Sequence, residues 1–180
     1  LDPDSDFPFK GDVDLAKLEA ALDSAPRGAV PLCIVTATCN TAGGQPVSLA
    51  NIRAVSALCR SRGVPLFIDA ARFAENAYFI KLREKGCEGR SVREIALEMM
   101  SYADGCTMSS KKDGLVNIGG LVCFRDEELM RRVMPYNIMY EGFNTYGGMA
   151  GRDLGALSVG LREATEFETL EARVLQVSRL

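Results

Sequence analysis

The sequence predicts an α/β fold with a mainly parallel sheet, helices on both faces and one antiparallel strand. Two continuous apolar runs of strand length, at residues 32–35 and 64–68, are separated by an amphipathic helical stretch. This order is typical of a right-handed βαβ unit with a parallel strand pair. Two further apolar runs, at 105–109 and 121–124, are joined by a short link. The fourth strand is therefore expected to run antiparallel to the third.

The residues before the first strand predict one helix. Residues 1–10 are rich in Pro and Asp, which is typical of an irregular lead-in. Asp12 is expected to cap a helix whose apolar face carries Leu15, Leu18 and Leu22. After the first strand, Gly43 and Gly44 allow the chain to turn.

The second helix and the second strand complete the βαβ unit. Pro46 suits the first turn of this helix, and Gly63 suits its C-terminal end. The second strand ends in Asp69, and residues 70–85 predict a further helix. The chain up to residue 85 thus predicts alternating strands and helices.

The C-terminal half predicts more helices around the last two strands. Ser91 and Glu94 have the spacing of a capping box, so a helix is expected to follow Ser91. Asp126 is expected to open another helix after the fourth strand. Residues 140–148 form a glycine-bearing loop, and the remainder of the chain predicts a long helix.

Composition narrows the function classes. The 180 residues are 47% hydrophobic and 25% charged, as in a soluble globular domain. The net charge of −3 argues against a nucleic acid or a membrane surface as partner. No apolar run approaches the roughly 20 residues that span a bilayer, and no signal peptide is expected.

Cysteine and histidine usage bears on metal sites and on location. Six cysteines are present without a C-x-x-C pair, and histidine is absent, so a zinc site is not expected. Most of the cysteines lie in apolar runs, which indicates a reducing cytoplasm. Any acid–base chemistry must then use Lys, Tyr, Asp or Glu.

Polar residues follow three of the predicted strands. Asn40 follows the first strand, Asp69 ends the second, and residues 109–112, which end in Lys111 and Lys112, follow the third. In open α/β sheets, ligands bind outside the carboxyl ends of the strands, so these groups are expected to share one crevice. Asp69 is equally compatible with ribose binding, metal binding or a helix cap. Two adjacent lysines are also common on solvated surfaces.

Pyridoxal phosphate fits this combination of groups. Its ring nitrogen needs an acid such as Asp69, and its aldehyde needs a lysine made nucleophilic by a neighbouring cation and partial burial. Its ring oxygen favours donors such as Asn40 and Arg72. Neither a G-x-G-x-x-G string nor a Walker A string is present, so nucleotide binding has little support.

The sequence resembles the β-eliminating amino-acid lyases, the fold-type-I pyridoxal-phosphate family that includes tyrosine phenol-lyases and tryptophanases. The resemblance runs from about Phe7 to the end of the chain. Four strings carry it: residues 40–48 (NTAGGQPVS), 67–81 (FIDAARFAENAYFIK), 108–113 (MSSKKD) and 141–148 (EGFNTYGG). Together they are specific to this family.

The resemblance implies roles for individual residues. Lys112 corresponds to the lysine that forms the Schiff base with pyridoxal 5′-phosphate, and Lys111 to its supporting neighbour. Asp69 would pair with the pyridine nitrogen, and Ser109 would contact the phosphate. Arg72 and Asn40 would hold the ring oxygen.

The resemblance also implies a cation and a substrate. Asn117 matches a residue whose backbone carbonyl helps to bind a monovalent cation, potassium or ammonium. Phe143 lies where the family lines the pocket for the substrate side chain, which implies a small aromatic amino acid. A homo-oligomer, in this family a tetramer, is expected.

Family chains are much longer than this one. The resemblance places residues 1–180 as a single segment, the central part of the large cofactor-binding domain. The family's glycine-rich phosphate loop, an aromatic residue stacked on the cofactor and a proton-donating tyrosine would precede Leu1. The arginine that binds the substrate carboxylate would follow Leu180. The segment alone is therefore not expected to be fully active, and other chains could supply the ends.

The implied activity is β-elimination of L-tyrosine to phenol, pyruvate and ammonia. Residues 101–109, 116–120 and 150–153 look like the phenol-lyase branch, whereas Phe143 and Thr145 look more like tryptophanase. Elimination of indole from L-tryptophan is the first alternative. Transamination, which releases no ammonium, and an inactive fragment or structural subunit that other chains complete remain further alternatives.

Overall fold

A computed structural model of the chain describes residues 5–179, so residues 1–4 of the predicted lead-in lie outside the described residues. The strands are β1 (Cys33–Thr36), β2 (Leu66–Asp69), β3 (Gly105–Ser109) and β4 (Gly120–Phe124). The helices of the first half are α1 (Leu15–Ser24), α2 (Leu49–Ser61), α3 (Phe73–Arg83) and α4 (Val92–Ser101). Those of the second half are α5 (Glu127–Tyr140), α6 (Gly151–Glu163) and α7 (Phe167–Ser178), and a short 3₁₀ turn occupies Asn40–Ala42.

The four strands form one sheet in the order β1-β2-β3-β4. The first three are mutually parallel, and β4 is antiparallel to β3. The short link between β3 and β4 permits only the antiparallel arrangement, because a parallel pair needs a long crossover. The predicted α/β class, with a mainly parallel sheet and one antiparallel strand, is confirmed.

The hydrophobic core lies between one face of the sheet and the helices. Val35, Ile68 and Met108 of the three parallel strands are buried there, together with residues of α2, α3 and α4 such as Ile52. The alternate residues point to the other face, where Ile34 is 55% exposed. That second face is thus partly open to solvent in this chain.

Two predicted helix starts were wrong. The N-cap of α1 is Asp14, not Asp12, and its carboxylate accepts a hydrogen bond from Lys17 N. Asp12 instead accepts hydrogen bonds from the backbone N and the Oγ of Ser48, at 2.7 and 2.9 Å. Ser48 is itself the N-cap of α2, so Pro46 precedes that helix and does not lie in its first turn. A long-range contact thus overrode the local signal at both places.

Two other boundaries also differ from the prediction. Residues 70–72 form a turn, and α3 begins only at Phe73. The predicted long C-terminal helix is two helices, because Glu166 is extended and separates α6 from α7. This change of direction places the Phe167 ring 5.3 Å from that of Tyr78 in α3. The predicted capping box at Ser91 and Glu94 is confirmed, as is Asp126 as the N-cap of α5.

Within residues 5–179, no helix combines the length and the apolar character that crossing a membrane requires.

Candidate functional site

The carboxyl ends of the three parallel strands meet at one edge of the sheet. Asp69, the last residue of β2, is in register with Thr36 of β1 on one side and with Thr107 of β3 on the other. The segments that leave these strands carry Asn40, Arg72 and the lysine loop, which we define as residues 110–119. Strand topology therefore gathers the predicted polar groups at this edge, as expected for a parallel sheet.

Arg72 and Asn40 are in direct contact. The guanidinium Nη1 of Arg72 donates a hydrogen bond to Oδ1 of Asn40, although the two residues are 32 positions apart. The backbone N of Arg72 also donates to the carbonyl of Ala37, at 3.1 Å, which fixes the start of the turn against the end of β1. Nε of Arg72 lies 3.9 Å from Oε2 of Glu75. The structure thus unites the two residues that are predicted to bind the ring oxygen.

Asp69 is half-buried, and its Oδ1 accepts a hydrogen bond from the backbone N of Ala71, at 3.2 Å. It does not cap α3, because another carboxylate accepts the hydrogen bonds of the first-turn N–H groups of that helix. Within residues 5–179, no cluster of three or more His, Cys, Asp or Glu side chains could hold a metal ion. Because a different carboxylate caps α3, the helix-cap interpretation of Asp69 is excluded.

The lysine loop carries Lys111 and Lys112 in different surroundings. Lys111 is exposed, whereas Lys112 is partly buried. The loop closes on itself, because Ser110 N donates to the carbonyl of Gly119 and Leu115 N donates to that of Lys112, both at 3.1 Å. The half-buried lysine is thus the one predicted to be the nucleophile.

Asp113, directly after Lys112, is completely buried and had no predicted role. Its Oδ2 accepts hydrogen bonds from the backbone N of Ala74, at 2.7 Å, and from that of Glu75, at 3.1 Å. Burial, and next the charge of Glu75, raise the pKa of Asp113 to about 6, and the two N–H groups and Arg173 offset this only in part. Sequence reasoning missed this residue because its partners are 38 and 39 positions away.

Three buried hydroxyl groups at this edge have no hydrogen-bond partner among the described residues. They are Oγ1 of Thr38, Oγ of Ser109 and Oγ of Ser110. Buried polar atoms are nearly always satisfied, so unpartnered ones beside a candidate site indicate a place for a polar ligand. Ser109 was the predicted phosphate contact. Thr38 and Ser110 were missed, although Thr38 follows a predicted strand and Ser110 adjoins the lysine pair.

Asn117 and Phe143 lie farther along the chain, on exposed segments. Asn117 is an exposed residue of the lysine loop. Phe143 lies in the loop between α5 and α6, is 61% exposed, and has its ring centroid 6.3 Å from that of Tyr146. The described residues do not enclose Phe143 in a pocket.

The groups at this edge fit pyridoxal phosphate in chemical type. A carboxylate, an Arg–Asn pair and a half-buried lysine are available beside buried hydroxyls without partners. These are the acid, the donors, the amine and the phosphate contacts that the cofactor requires. The groups available at this edge are therefore compatible in kind with this cofactor.

Comparison with known proteins gives a consistent result. The sequence model of the family described as "Beta-eliminating lyase" matches residues 1–178. A Trichomonas vaginalis protein named "Probable beta-eliminating lyase" is 56% identical over 99% of this chain, which covers 39% of that protein. A Salinibacter ruber protein named "Tryptophanase" is 56% identical over 96% of this chain and 36% of its own length. A Lacrimispora saccharolytica protein named "Tyrosine phenol-lyase" is 49% identical over 99% of this chain and 38% of its own length.

Solved structures support the fold alone. A protein of Exiguobacterium sp. 255-15, described as an aromatic amino acid beta-eliminating lyase/threonine aldolase, has a TM-score of 0.53 at 20% identity. The match covers 79% of this chain and 35% of that one. A Listeria monocytogenes protein described as an L-allo-threonine aldolase has a TM-score of 0.54 at 17% identity, over 77% and 34% of the two chains.

Proposed function

Because this chain belongs to the beta-eliminating lyase family, we propose that the protein containing it is a pyridoxal-phosphate-dependent carbon–carbon lyase. Its proposed reaction is the β-elimination of L-tyrosine, which with water gives phenol, pyruvate and ammonium. The chain spans 36–39% of the length of the relatives named above, so the proposal concerns the whole protein. Residues 1–180 would be one segment of its cofactor-binding large domain.

The observation that carries this proposal is the meeting of Asn40, Arg72, Asp69 and the lysine loop at one edge of the sheet. Pyridoxal phosphate, when bound, supplies an electron sink that stabilises negative charge at the substrate α-carbon. Asp69 would keep a proton on the ring nitrogen. Arg72 and Asn40 would orient the ring oxygen, and Ser109 would donate to the phosphate.

Lys112 would perform the proton transfers. Its Nζ would hold the cofactor aldehyde and, with the amino acid bound, would accept the proton from the substrate α-carbon. Lys111 would add positive charge beside Lys112. The proton that the departing aromatic ring takes up at its ring carbon would come from the family's tyrosine, which the resemblance places outside residues 1–180.

The remaining assignments are proposals of the same kind. The backbone carbonyl of Asn117 would help to bind potassium or ammonium, and Phe143 would line the pocket for the aromatic side chain. The whole protein would be a cytoplasmic homo-oligomer, a tetramer by analogy with the family, and other chains could supply parts of the site.

Elimination of indole from L-tryptophan is the second candidate. Phe143 resembles the tryptophanase branch, and the Salinibacter ruber relative at 56% identity is named "Tryptophanase". A bulky apolar residue in the pocket could accept either ring, since apolar packing discriminates by only ~1–3 kcal/mol. Strong preference for phenol requires polar groups that bind its hydroxyl.

The test is a product assay on the full-length enzyme loaded with pyridoxal phosphate. L-Tyrosine and L-tryptophan are supplied separately, and phenol, indole, pyruvate and ammonium are measured. We expect phenol, pyruvate and ammonium in equal amounts from L-tyrosine. Indole without phenol would replace tyrosine by tryptophan as the substrate, and loss of the amino group without ammonium would indicate transamination. Absence of any product would refute the lyase assignment.

A further inference from the structure

Helix α3 begins beside the candidate site but does not cap itself. Its N-cap residue is Arg72, whose side chain makes no capping hydrogen bond. The first N–H groups of a helix have no partner within the helix and need an external acceptor. The turn 70–72 contains Arg72 and joins Asp69 to the start of α3. The position of the helix start therefore fixes where these two residues lie.

The missing cap comes from the lysine loop. Oδ2 of Asp113 accepts from the N–H groups of Ala74 and Glu75, the second and third residues of α3. In return, the backbone N of Asp113 donates to the carbonyl of Ala71, at 3.2 Å. Hydrogen bonds from both the backbone and the side chain of Asp113 thus join the loop to the turn after β2. The residue immediately before Asp113 is Lys112.

Helix α7 closes this junction from outside. Arg173 Nη2 lies 2.6 Å from Oε1 of Glu75 and 3.4 Å from Oδ1 of Asp113, so one guanidinium contacts both carboxylates. Glu75 in turn lies beside Arg72. The resulting series of contacts runs from α7 through Asp113 and Glu75 to the Arg72–Asn40 pair.

We propose that Asp113 is a positioning residue, which fixes Lys112 relative to Asp69 and Arg72 by capping α3 with its side chain. Arg173 holds the capping carboxylate in place from α7. This inference rests on the proposed function for the role of Lys112, and it goes beyond that function by naming what sets the distance between the lysine and the acid. Asp113 acts here through the length of its side chain, not through its charge.

Length and charge are separable by substitution. Asp113→Asn keeps the side-chain length and an acceptor oxygen but removes the charge. Asp113→Glu keeps the charge but lengthens the side chain by one methylene. Asp113→Ser, a shorter acceptor that does not overfill the buried site, serves as a second length variant if the Glu variant fails to fold. Asp126→Ala is the matched control, because Asp126 caps α5 by accepting from two N–H groups, those of Glu128 and Leu129.

Each variant is made in the full-length enzyme, and its kcat, KM and thermal midpoint are measured at pH 8. The rate at which apoprotein regains the absorbance of lysine-bound pyridoxal phosphate is measured as well. We expect Asp113→Asn to keep kcat and the rate of cofactor attachment within about threefold of the wild-type values, because Asn caps a helix about as well as Asp. Asp113→Glu and Asp113→Ser should lower kcat by about 100-fold, a loss that a misplacement of about 1 Å can cause. They should also slow cofactor attachment, with KM little changed.

The control should lose thermal stability without loss of either rate. If Asp113→Asn is impaired while Asp113→Glu behaves as wild type, charge and not position is what matters, and the proposal is overturned. The proposal is equally overturned if all three Asp113 variants match Asp126→Ala. Absence of pyruvate and ammonium from the wild-type enzyme would instead refute the proposed function, and the attachment rates would still test the role of Asp113.

Discussion

At the scale of single residues, Asp69 is the acid on which the proposed chemistry depends. It ends β2 half-buried, and its turn leads directly to Arg72. Asp69→Asn removes the charge that would keep the cofactor ring nitrogen protonated, at nearly constant shape. In the full-length enzyme we expect kcat to fall by about 100-fold or more, as for loss of one preorganised electrostatic partner. Cofactor affinity should change much less, because Lys112, Arg72 and Asn40 remain.

Asp104→Asn is the matched control for that change. Asp104 lies just before β3, at the opposite end of the sheet, and its Oδ2 accepts from Leu66 N at 2.8 Å. An amide oxygen can also accept this bond, so turnover should stay near the wild-type value. Equal turnover in the Asp69 and Asp104 variants would contradict the role given to Asp69.

Asp113 makes stability depend on pH in an unusual direction for an aspartate. Its pKa is raised from 3.8 to about 6, so the folded state binds the proton more tightly than the unfolded state. The contribution of Asp113 to the free energy of unfolding is therefore greatest below about pH 4 and is lost as the pH rises to about 6. Each pKa unit corresponds to ~1.4 kcal/mol, so this rise in pKa changes the free energy of unfolding by about 3 kcal/mol. Burial is the largest cause of the raised pKa, the charge of Glu75 adds to it, and Arg173, which also faces the carboxyl, lowers it.

Asp113→Asn should abolish this pH dependence. The free energy of unfolding of the variant minus that of the wild type is expected to rise by up to about 3 kcal/mol between pH 4 and pH 7. Urea unfolding at several pH values measures it. A difference that is flat, or that falls across this range, would show that the carboxyl is not raised in pKa.

Sequence reasoning found the residues at strand ends and missed those defined by long-range contacts. Asn40, Asp69 and Ser109 are recognisable because a polar residue ends an apolar run, and parallel strands must present such ends at one edge. Asp113 is recognisable only once α3 is seen to lack its own cap. Likewise Arg173 of α7 meets Glu75 98 positions away, and no local pattern encodes that pairing.

At the scale of elements, α6 packs directly against the lysine loop. Gly160 of α6 is buried, and a Cβ there would overlap the carbonyl oxygen of Gly114. The absence of a side chain at Gly160 thus permits the close approach of α6 to the residues after Lys112. This contact and the Asp113 cap hold the loop from two sides.

Gly160→Ala should therefore displace the loop. We expect it to destabilise the protein by about 1–3 kcal/mol, the usual cost of an overfilled site, and to lower kcat. Gly155→Ala in the same helix is the control, because nothing lies within 4 Å of a Cβ there. Alanine at Gly155 should stabilise by up to about 1 kcal/mol, since it favours the helix. Thermal midpoints measure both, and equal midpoints would refute the close contact.

Element prediction succeeded where length and capping signals were local. The β3–β4 pair follows from its short link, and the capping box of α4 from the spacing of Ser91 and Glu94. The break between α6 and α7 was not predicted because the segment contains no proline, and its glycines, Gly151, Gly155 and Gly160, all lie inside α6. Tertiary packing of Phe167 on Tyr78 accompanies the break.

At the scale of the whole molecule, the chain matches only part of each relative compared above. It spans 36–39% of the relatives compared above, and one face of its sheet exposes Ile34 and Val122. The strand-end groups lie on this chain, whereas the proposed substrate pocket is not enclosed by it. Activity is therefore expected of the full-length protein.

If Asn117 helps to bind a monovalent cation as proposed, activity should depend on that cation. The backbone carbonyl of Asn117 belongs to the lysine loop, so a bound ion would order the segment that carries Lys112. We expect the full-length enzyme to turn over faster in potassium or ammonium than in sodium at equal ionic strength. The measurement is initial rate in matched chloride buffers. Equal rates in sodium and potassium would contradict the assignment of Asn117.

The central claim is that the cofactor is held at the strand ends through Lys112. The most direct test is borohydride reduction of the full-length enzyme loaded with pyridoxal phosphate, followed by proteolysis and peptide mapping by mass spectrometry. Reduction converts the bond between lysine and cofactor into a stable pyridoxyl label. We predict a single label on Lys112, and none after Lys112→Ala. A label on Lys111, or on a lysine away from residues 110–119, would contradict the claim.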